Sequence, residues 1–128
     1  MTETVNPPLV ICVEDDASVR DALRGLLRAS GFRVAAFASA EEFLASAELA
    51  AARCLITDIH LAGISGLDLL DKLSDMALTI PSILITAHAD AANGSRSRSS
   101  SATNVFLKPV NPSDLLDAVR VALKADPV

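Results

Sequence analysis

Short apolar runs alternate along the chain with segments in which apolar residues recur at helical spacing. The runs that we predict to be β-strands are Leu9–Val13, Phe32–Phe37, Cys54–Thr57, Ser82–Ile85 and Val105–Leu107. The first, third and fourth runs are apolar almost throughout, which is typical of strands covered on both faces of a parallel sheet.

Four other segments carry apolar stripes that predict amphipathic helices. The stripes are Val19, Leu23, Leu26 and Leu27; Phe43, Leu44 and Ala47; Leu69, Leu70 and Leu73; and Leu115, Leu116, Val119 and Leu123. Gly31 follows the first stripe, where a left-handed residue commonly ends a helix. Ser39 and Glu42 form a capping box for the second helix. Asn111-Pro112 supplies a cap and a first helical residue for the last one.

The alternation of these elements predicts an α/β fold with an open, five-stranded parallel sheet and helices on both faces. One segment departs from the pattern. Ala91–Thr103 should form the crossover helix between the fourth and fifth strands, yet it contains no Leu, Ile, Val, Met or Phe. Because Ser, Asn and Gly disfavour helix, we expect either a loose, partly disordered crossover or a short, poorly anchored helix.

Composition narrows the class of protein. The 128 residues are 51% hydrophobic, enough for one domain with a buried core, and the net charge is −5. This charge, with only Phe as aromatic residue, argues against direct binding of nucleic acid or an anionic membrane. No membrane span or signal peptide is apparent, so we expect a cytoplasmic protein. Cys12 and Cys54 lie in apolar runs and are predicted to be buried, reduced thiols, with a disulfide or redox pair as the alternative.

Acidic and polar residues follow four of the predicted strands. Glu14–Asp16 follow the first strand, Asp58 the third, Thr86 the fourth and Lys108 the fifth. If these strands lie side by side, the residues converge at the edge where ligands bind to parallel α/β sheets. Clustered carboxylates without His or Cys favour Mg²⁺, and Lys108 suits an anion beside the metal. The group therefore predicts phosphoryl chemistry with a carboxylate as nucleophile.

Simpler roles remain open for single members of this group. Acidic residues at loop ends are commonly solvated, and Asp16 is placed to cap the first helix. The prediction of a site depends on all four strand ends carrying complementary residues.

These residues resemble the receiver domain of bacterial two-component response regulators. Within that family, Ala17–Ala47 and Ile80–Asp90 look most like the FixJ/NarL-like receivers. The matching pieces are Val13-Glu14-Asp15-Asp16, Thr57-Asp58-Ile59-His60-Leu61 through Gly66, Ile85-Thr86-Ala87 and Lys108-Pro109. The resemblance implies a flavodoxin-like (CheY-like), doubly wound sheet with strand order 2-1-3-4-5. It divides the chain into an extension (1–8), a receiver domain (9–124) and a tail (125–128).

The resemblance also implies a metal site and a phosphoacceptor. Asp58 is similar to the residue that takes the phosphoryl group from a sensor histidine kinase or phosphotransfer protein. Asp15 would bind Mg²⁺ (or Mn²⁺) directly, Glu14 through water, and His60 through its backbone carbonyl. The family catalyses only its own phosphotransfer and autodephosphorylation, and it acts on an effector domain or protein, in some cases as a homodimer.

Further residues match the family's switch. Thr86 would move its hydroxyl to the phosphoryl group, and the Ala87 N–H would reach the same group. Lys108 would pair with a phosphoryl oxygen. Pro109 would shape the loop, in this family often through a cis bond. His88, like His60, lies two residues after a site residue, and each is either a modulator of water access or an exposed loop histidine.

The sequence departs from the family pattern at three points. The usual Met-Pro pair is Leu61-Ala62 here, which leaves the loop less rigid without removing chemistry. The aromatic switch position holds Val105, and Phe106 is expected to point to the opposite face of the sheet. The unusual crossover Ala91–Thr103 lies on the same output face. We therefore predict intact phosphorylation chemistry with non-standard output.

Two alternative functions stay open at this stage. One is a receiver-like interaction module that binds its partner independently of phosphorylation. The other is a small phosphatase or phosphotransferase that forms an aspartyl phosphate. Such enzymes usually carry an acid two residues after the nucleophile, where this chain has His60.

Overall fold

The computed structural model describes residues 8–87 and 102–124, which are built around one five-stranded sheet. The strands are β1 (Leu9–Val13), β2 (Arg33–Phe37), β3 (Ala52–Asp58), β4 (Ser82–Thr86) and β5 (Ala102–Leu107). All neighbouring pairs are parallel, and the order across the sheet is β2-β1-β3-β4-β5. The predicted α/β fold and strand order are confirmed, and β1, β3, β4 and β5 end side by side.

Four α-helices are described: α1 (Ala17–Ala29), α2 (Ala40–Leu44), α3 (Gly66–Asp75) and α4 (Pro112–Lys124). The predicted caps are present. Ser39 Oγ accepts from the Glu42 N–H at 3.1 Å, and Asn111 Oδ1 accepts from the Asp114 N–H at 3.1 Å. Gly31 has a φ of 94°, the left-handed conformation expected after α1. Local sequence signals therefore place the helix ends correctly at these points.

The sheet separates two apolar clusters because alternate strand residues point to opposite faces. One face packs strand residues against α2 and α3, and its members include Ile11, Val13, Phe43, Leu55, Leu69, Leu70, Leu73 and Leu84. The other face packs against α1 and α4, and its members include Val10, Cys12, Leu27, Ile56, Ile83, Ile85, Leu115 and Val119. The two-sided burial predicted from the apolar strands is confirmed.

The second helix is shorter than the apolar stripe predicts. The stripe extends to Ala47, but α2 ends at Leu44, and a separate 3₁₀ helix covers Ala47–Ala51. Ser46 lies between the two, and its hydroxyl donates to the Phe43 carbonyl at 2.7 Å. A serine hydroxyl that donates to a backbone carbonyl competes with the backbone hydrogen bonds of a regular helix, which is consistent with the end of α2 at this point.

The prediction for the last crossover is wrong at its C-terminal end. Residues Ala102 and Thr103 belong to β5, which begins three residues before the predicted Val105. Pairing with β4 explains this, since Ser82 is in register with Ala102 and Ile83 with Asn104. The rest of the predicted crossover (91–101) and His88 lie outside the described residues. So do residues 1–7 of the predicted extension and the predicted tail (125–128).

The two cysteines are buried and free, as predicted. Both lie in the cluster facing α1 and α4, on the adjacent strands β1 and β3. Cys54 is in register with Val10 rather than with Cys12, so the thiols are two residues out of step. Burial, the largest cause for each thiol, raises the pKa of both to about 12. None of the helices in the described part of the chain is long and apolar enough to cross a membrane.

Candidate functional site

The carboxyl ends of four neighbouring strands bring the predicted site residues together. Asp58 and Thr86 are the last residues of β3 and β4, whereas the sequence predicted that they directly follow these strands. Glu14 and Lys108 directly follow β1 and β5. Backbone hydrogen bonds continue past the strands, since the Glu14 N–H donates to the Phe37 carbonyl at 3.0 Å and the Lys108 N–H to the Thr86 carbonyl at 2.8 Å.

Lys108 connects two buried carboxylates. Its Nζ donates to Asp58 Oδ2 at 2.7 Å and to Glu14 Oε1 at 3.0 Å. Asp58 is 7% exposed and Glu14 only 2%. Burial raises the pKa of Glu14, although its hydrogen bond to Lys108 acts in the opposite direction. Burial alone would lower the pKa of Lys108, but hydrogen bonds to Asp58 and then to Glu14 raise it.

Asp58 is held on its other side by backbone. Its Oδ1 accepts from the His60 N–H at 3.0 Å. The segment after it folds back closely, with the Gly66 N–H donating to the Ile59 carbonyl at 2.9 Å. A methyl group on Gly66 would overlap the Asp58 carbonyl oxygen, so only glycine allows α3 to begin so near the strand. Both carboxylate oxygens of Asp58 therefore have defined positions.

The carboxylates fit a divalent metal ion. Glu14, Asp15 and Asp58 each offer an oxygen, and these three atoms lie within 4.8 Å of one another. Three hard oxygen donors without nitrogen or sulfur are the ligands that Mg²⁺ prefers. Asp15 is exposed, and its Oδ2 accepts from the Ala62 N–H at 3.2 Å. The cluster is thus open to solvent on the side of Asp15 and closed on the side of Glu14.

Asp16 has the capping role that the sequence left open. Its Oδ1 accepts from the backbone N–H groups of Ser18 and Val19 at the start of α1. The Ser18 hydroxyl also donates to it, and this bond is the main reason that the pKa of Asp16 is lowered. Asp16 therefore acts as a helix cap, and the carboxylates that could hold a metal ion are Glu14, Asp15 and Asp58.

A sequence reading misses three contacts around this cluster. Arg20 Nη1 donates to the Glu14 carbonyl at 2.9 Å and fixes the turn between β1 and α1. The Ala62 N–H reaches Asp15, and Glu41 accepts from a neighbouring loop amide. Only the Arg20 contact has a local signal, since it lies six residues after Glu14 in the first turn of a helix. The other two join residues 47 and 23 positions apart.

Comparison with known proteins decides the family. The response regulator receiver domain family matches residues 10–120. The chain belongs to this family. Phosphorylation-based signalling is the standard function of receiver domains, which are in general signalling domains rather than enzymes. The resemblance predicted from the strand-end motifs is confirmed.

Relatives and solved structures agree with this assignment. Nodulation protein W of Bradyrhizobium diazoefficiens is 39% identical over 125 residues, which cover 98% of the chain and 55% of that protein. The chain spans about half the length of the curated relatives it matches. The crystal structure of FixJ-N is 30% identical with a TM-score of 0.83, and the match covers 97% of this chain and 99% of that one. Response regulator TrrA of Thermotoga maritima, solved in complex with Mg(2+)-BeF, is 25% identical with a TM-score of 0.80, covering 90% and 98%.

The structure also gives the positions of the other residues that the sequence predicts for the site. Thr86 is fully buried at the end of β4, and its carbonyl accepts from the Lys108 N–H at 2.8 Å. Ala87 is exposed directly after it. The Lys108-Pro109 peptide bond is cis. His60 is exposed two residues after Asp58.

The aromatic switch position of this receiver domain differs from the family pattern in the way the sequence predicts. Val105 is half-buried and packs with the cluster facing α2 and α3. Phe106 packs with the opposite cluster, against α1 and α4. The predicted reversal of facing between these two residues is confirmed, and the only ring in this part of β5 lies on the other side of the sheet.

Proposed function

We propose that Asp58 accepts a phosphoryl group from the phosphohistidine of a sensor histidine kinase or phosphotransfer protein, in a reaction that requires Mg²⁺ (or Mn²⁺). One observation carries the proposal. Lys108 contacts Asp58 and Glu14 at once, and oxygens of Glu14, Asp15 and Asp58 lie within 4.8 Å. A nucleophilic carboxylate, a cation and a divalent-metal cluster at one point are the requirements of phosphoryl transfer to aspartate.

The metal would be held by Asp15 and Asp58, by Glu14 through water, and by the backbone carbonyl of His60 as a further ligand. When bound, it supplies positive charge to the phosphoryl oxygens and to the clustered carboxylates. The raised pKa of Glu14 supports this, because burial of a carboxylate in this place is unfavourable without added positive charge. The donor set favours Mg²⁺ over zinc.

Residues of the chain supply the nucleophile and the hydrogen bonds to the phosphoryl group. One oxygen of Asp58 attacks phosphorus, a P–O bond forms, and the P–N bond to the donor histidine breaks. Lys108 already donates to Asp58 and would transfer that hydrogen bond to a phosphoryl oxygen. The Thr86 hydroxyl, at the end of the adjacent strand, and the Ala87 backbone N–H would each donate a hydrogen bond to the phosphoryl group. The chain would thus catalyse only its own phosphotransfer and its own dephosphorylation, with His60 and His88 modulating access of water.

Acetyl phosphate provides the direct test. The intact mass of the folded protein is measured after incubation with acetyl phosphate and Mg²⁺, and again with EDTA. We expect one phosphoryl group, present only with Mg²⁺, lost in Asp58→Asn and retained in the matched control Asp75→Asn at the exposed end of α3. Labelling of Asp58→Asn would overturn the site, and absence of labelling in the wild type would overturn the function.

The placement of Val105 favours a second candidate, a receiver that binds its partner independently of phosphorylation. With Phe106 on the opposite face, the described part of β5 presents Val105 where the family has a rotating ring. Affinity for a partner is then measured with and without beryllofluoride and Mg²⁺. Equal affinities support this candidate, and a large change supports the phosphorylated switch.

The wider assignment follows from the same proposal. Since the chain spans about half of its relatives' length, the output of the whole protein would come from an effector domain or a separate effector protein. Location in the cytoplasm would give the site access to the kinase and to Mg²⁺. A homodimer through the output face is the remaining expectation.

A further inference from the structure

The loop between β3 and α3 has an unusual support. It follows Asp58 and contains the His60 carbonyl that the proposed metal site uses. The proline that commonly stiffens this loop in receivers is replaced by Ala62. The loop backbone is instead fixed by carboxylates from two other elements. Asp15 Oδ2 accepts from the Ala62 N–H at 3.2 Å, and Glu41 Oε2 accepts from the Ile64 N–H at 3.1 Å.

Gly63 lies between these two contacts and allows the close approach of Glu41. Its φ is 82°, a conformation that L side chains rarely adopt. A Cβ atom at this position would lie 2.5 Å from Glu41 Oε2 and 3.2 Å from its Cδ. The carboxylate of Glu41 therefore occupies the space that a side chain on the loop would need.

Two interactions favour this position of the Glu41 carboxylate. It lies in the first turn of α2, where the helix dipole favours a negative charge. Its hydrogen bond to Ile64 is charge-assisted, which makes it stronger than a bond between neutral groups. The carboxylate of its neighbour Glu42 instead accepts from the Ala38 N–H at 3.2 Å, before the start of α2. The two glutamates share a helix turn and a charge, but only Glu41 contacts the loop.

We infer that Glu41 is a positioning residue for the metal site. By fixing Ile64 it holds the loop so that the Ala62 N–H stays on Asp15 and the His60 backbone, whose N–H donates to Asp58 Oδ1, keeps its place beside the carboxylates. Groups that orient metal ligands in this way contribute to affinity without touching the metal, because the ligands need not be ordered on binding. The inference rests on the proposed function, since it concerns the metal site described there.

The experiment compares Glu41→Ala, Glu41→Gln and the matched control Glu42→Ala. Two quantities are measured for each: amide hydrogen exchange at Ile64 and Ala62 in EDTA, and the Kd for Mg²⁺ by calorimetry. In Glu41→Ala we expect faster exchange at both amides and a Kd raised about 3- to 10-fold, below the 10- to 100-fold typical of direct partners of ligands.

The two remaining variants separate positioning from general destabilisation. Glu41→Gln keeps an oxygen that can accept from Ile64, so its exchange rates and Kd should return most of the way to wild type. Glu42→Ala should leave the Kd unchanged while exposing the Ala38 amide.

Each failure has its own signature. Equal Kd values for Glu41→Ala and Glu42→Ala, with the wild type binding Mg²⁺, would overturn the inference and leave the proposed function standing. Unchanged exchange at Ile64 in Glu41→Ala would overturn it without reference to any metal. A wild type that binds no Mg²⁺ would overturn both.

Discussion

Gly66→Ala and Gly25→Ala make the same chemical change in two helices and should have opposite effects. At Gly66 the added methyl would overlap the Asp58 carbonyl oxygen and lie 3.0 Å from the Ile59 Cα. These are backbone atoms at the end of a buried strand, so they cannot move aside as a side chain can. At Gly25, in α1, nothing lies within 4 Å of the added atom.

The expected magnitudes follow from these surroundings. Overpacking costs about 1–3 kcal/mol, and a backbone clash at Gly66 belongs at the upper end of that range. Gly25→Ala should stabilise by about 0.5–1 kcal/mol, because glycine inside a helix loses more conformational entropy than alanine. The two variants should therefore differ by about 3.5–4 kcal/mol in free energy of unfolding, or roughly 13–15 °C in Tm for a domain of this size.

Circular dichroism is the suitable assay, since the chain contains neither Trp nor Tyr for fluorescence. Urea and thermal unfolding are recorded in EDTA, so that metal binding does not contribute. A Gly66→Ala protein as stable as Gly25→Ala would refute the packing of α3 on the end of β3. It would also remove the argument that Asp58 is rigidly placed.

Three further changes test other features of the structure. Lys108→Met leaves the buried carboxylate of Asp58 without its cation. Since the Lys108 side chain is partly exposed, the free energy of unfolding in EDTA should fall by about 3 kcal/mol, the lower end of the cost of breaking a buried pair, and Mg²⁺ should restore part of it; equal stability with wild type would contradict the bridging role. In the folded state, burial raises the pKa of Cys12 and Cys54 to about 12, whereas a thiol in the unfolded chain has a pKa near 9.0. Stability should therefore fall above pH 9 by about 1.4 kcal/mol per pH unit for each thiol, and a Cys54→Ala variant should show a shallower slope in urea titrations. Ala77→Gly should raise the Tm, because Ala77 has a φ of 60° after α3 and a left-handed alanine costs about 1–2 kcal/mol; a lower Tm would contradict that backbone conformation.

Sequence patterns predicted most of the fold because they depend on near neighbours. The capping of α2 by Ser39 and of α4 by Asn111 joins residues three positions apart. Facing along β5 follows from strand alternation, so the opposite placement of Val105 and Phe106 could be stated in advance. The early end of α2 was missed because it depends on one hydroxyl, that of Ser46, bonding back to the helix.

For the site, the sequence by itself determined which chemical groups are available and which strand ends carry them. It could not determine the contacts among them. Lys108 meets Asp58 and Glu14 across 50 and 94 positions, and Glu41 meets Ile64 across 23. Contacts between residues so far apart in sequence depend on sheet register, helix packing and the path of loops, and no local sequence pattern determines these. The tertiary structure alone therefore decided that Asp15 contacts Ala62 and that Glu41 contacts Ile64 in the loop beside the carboxylate cluster.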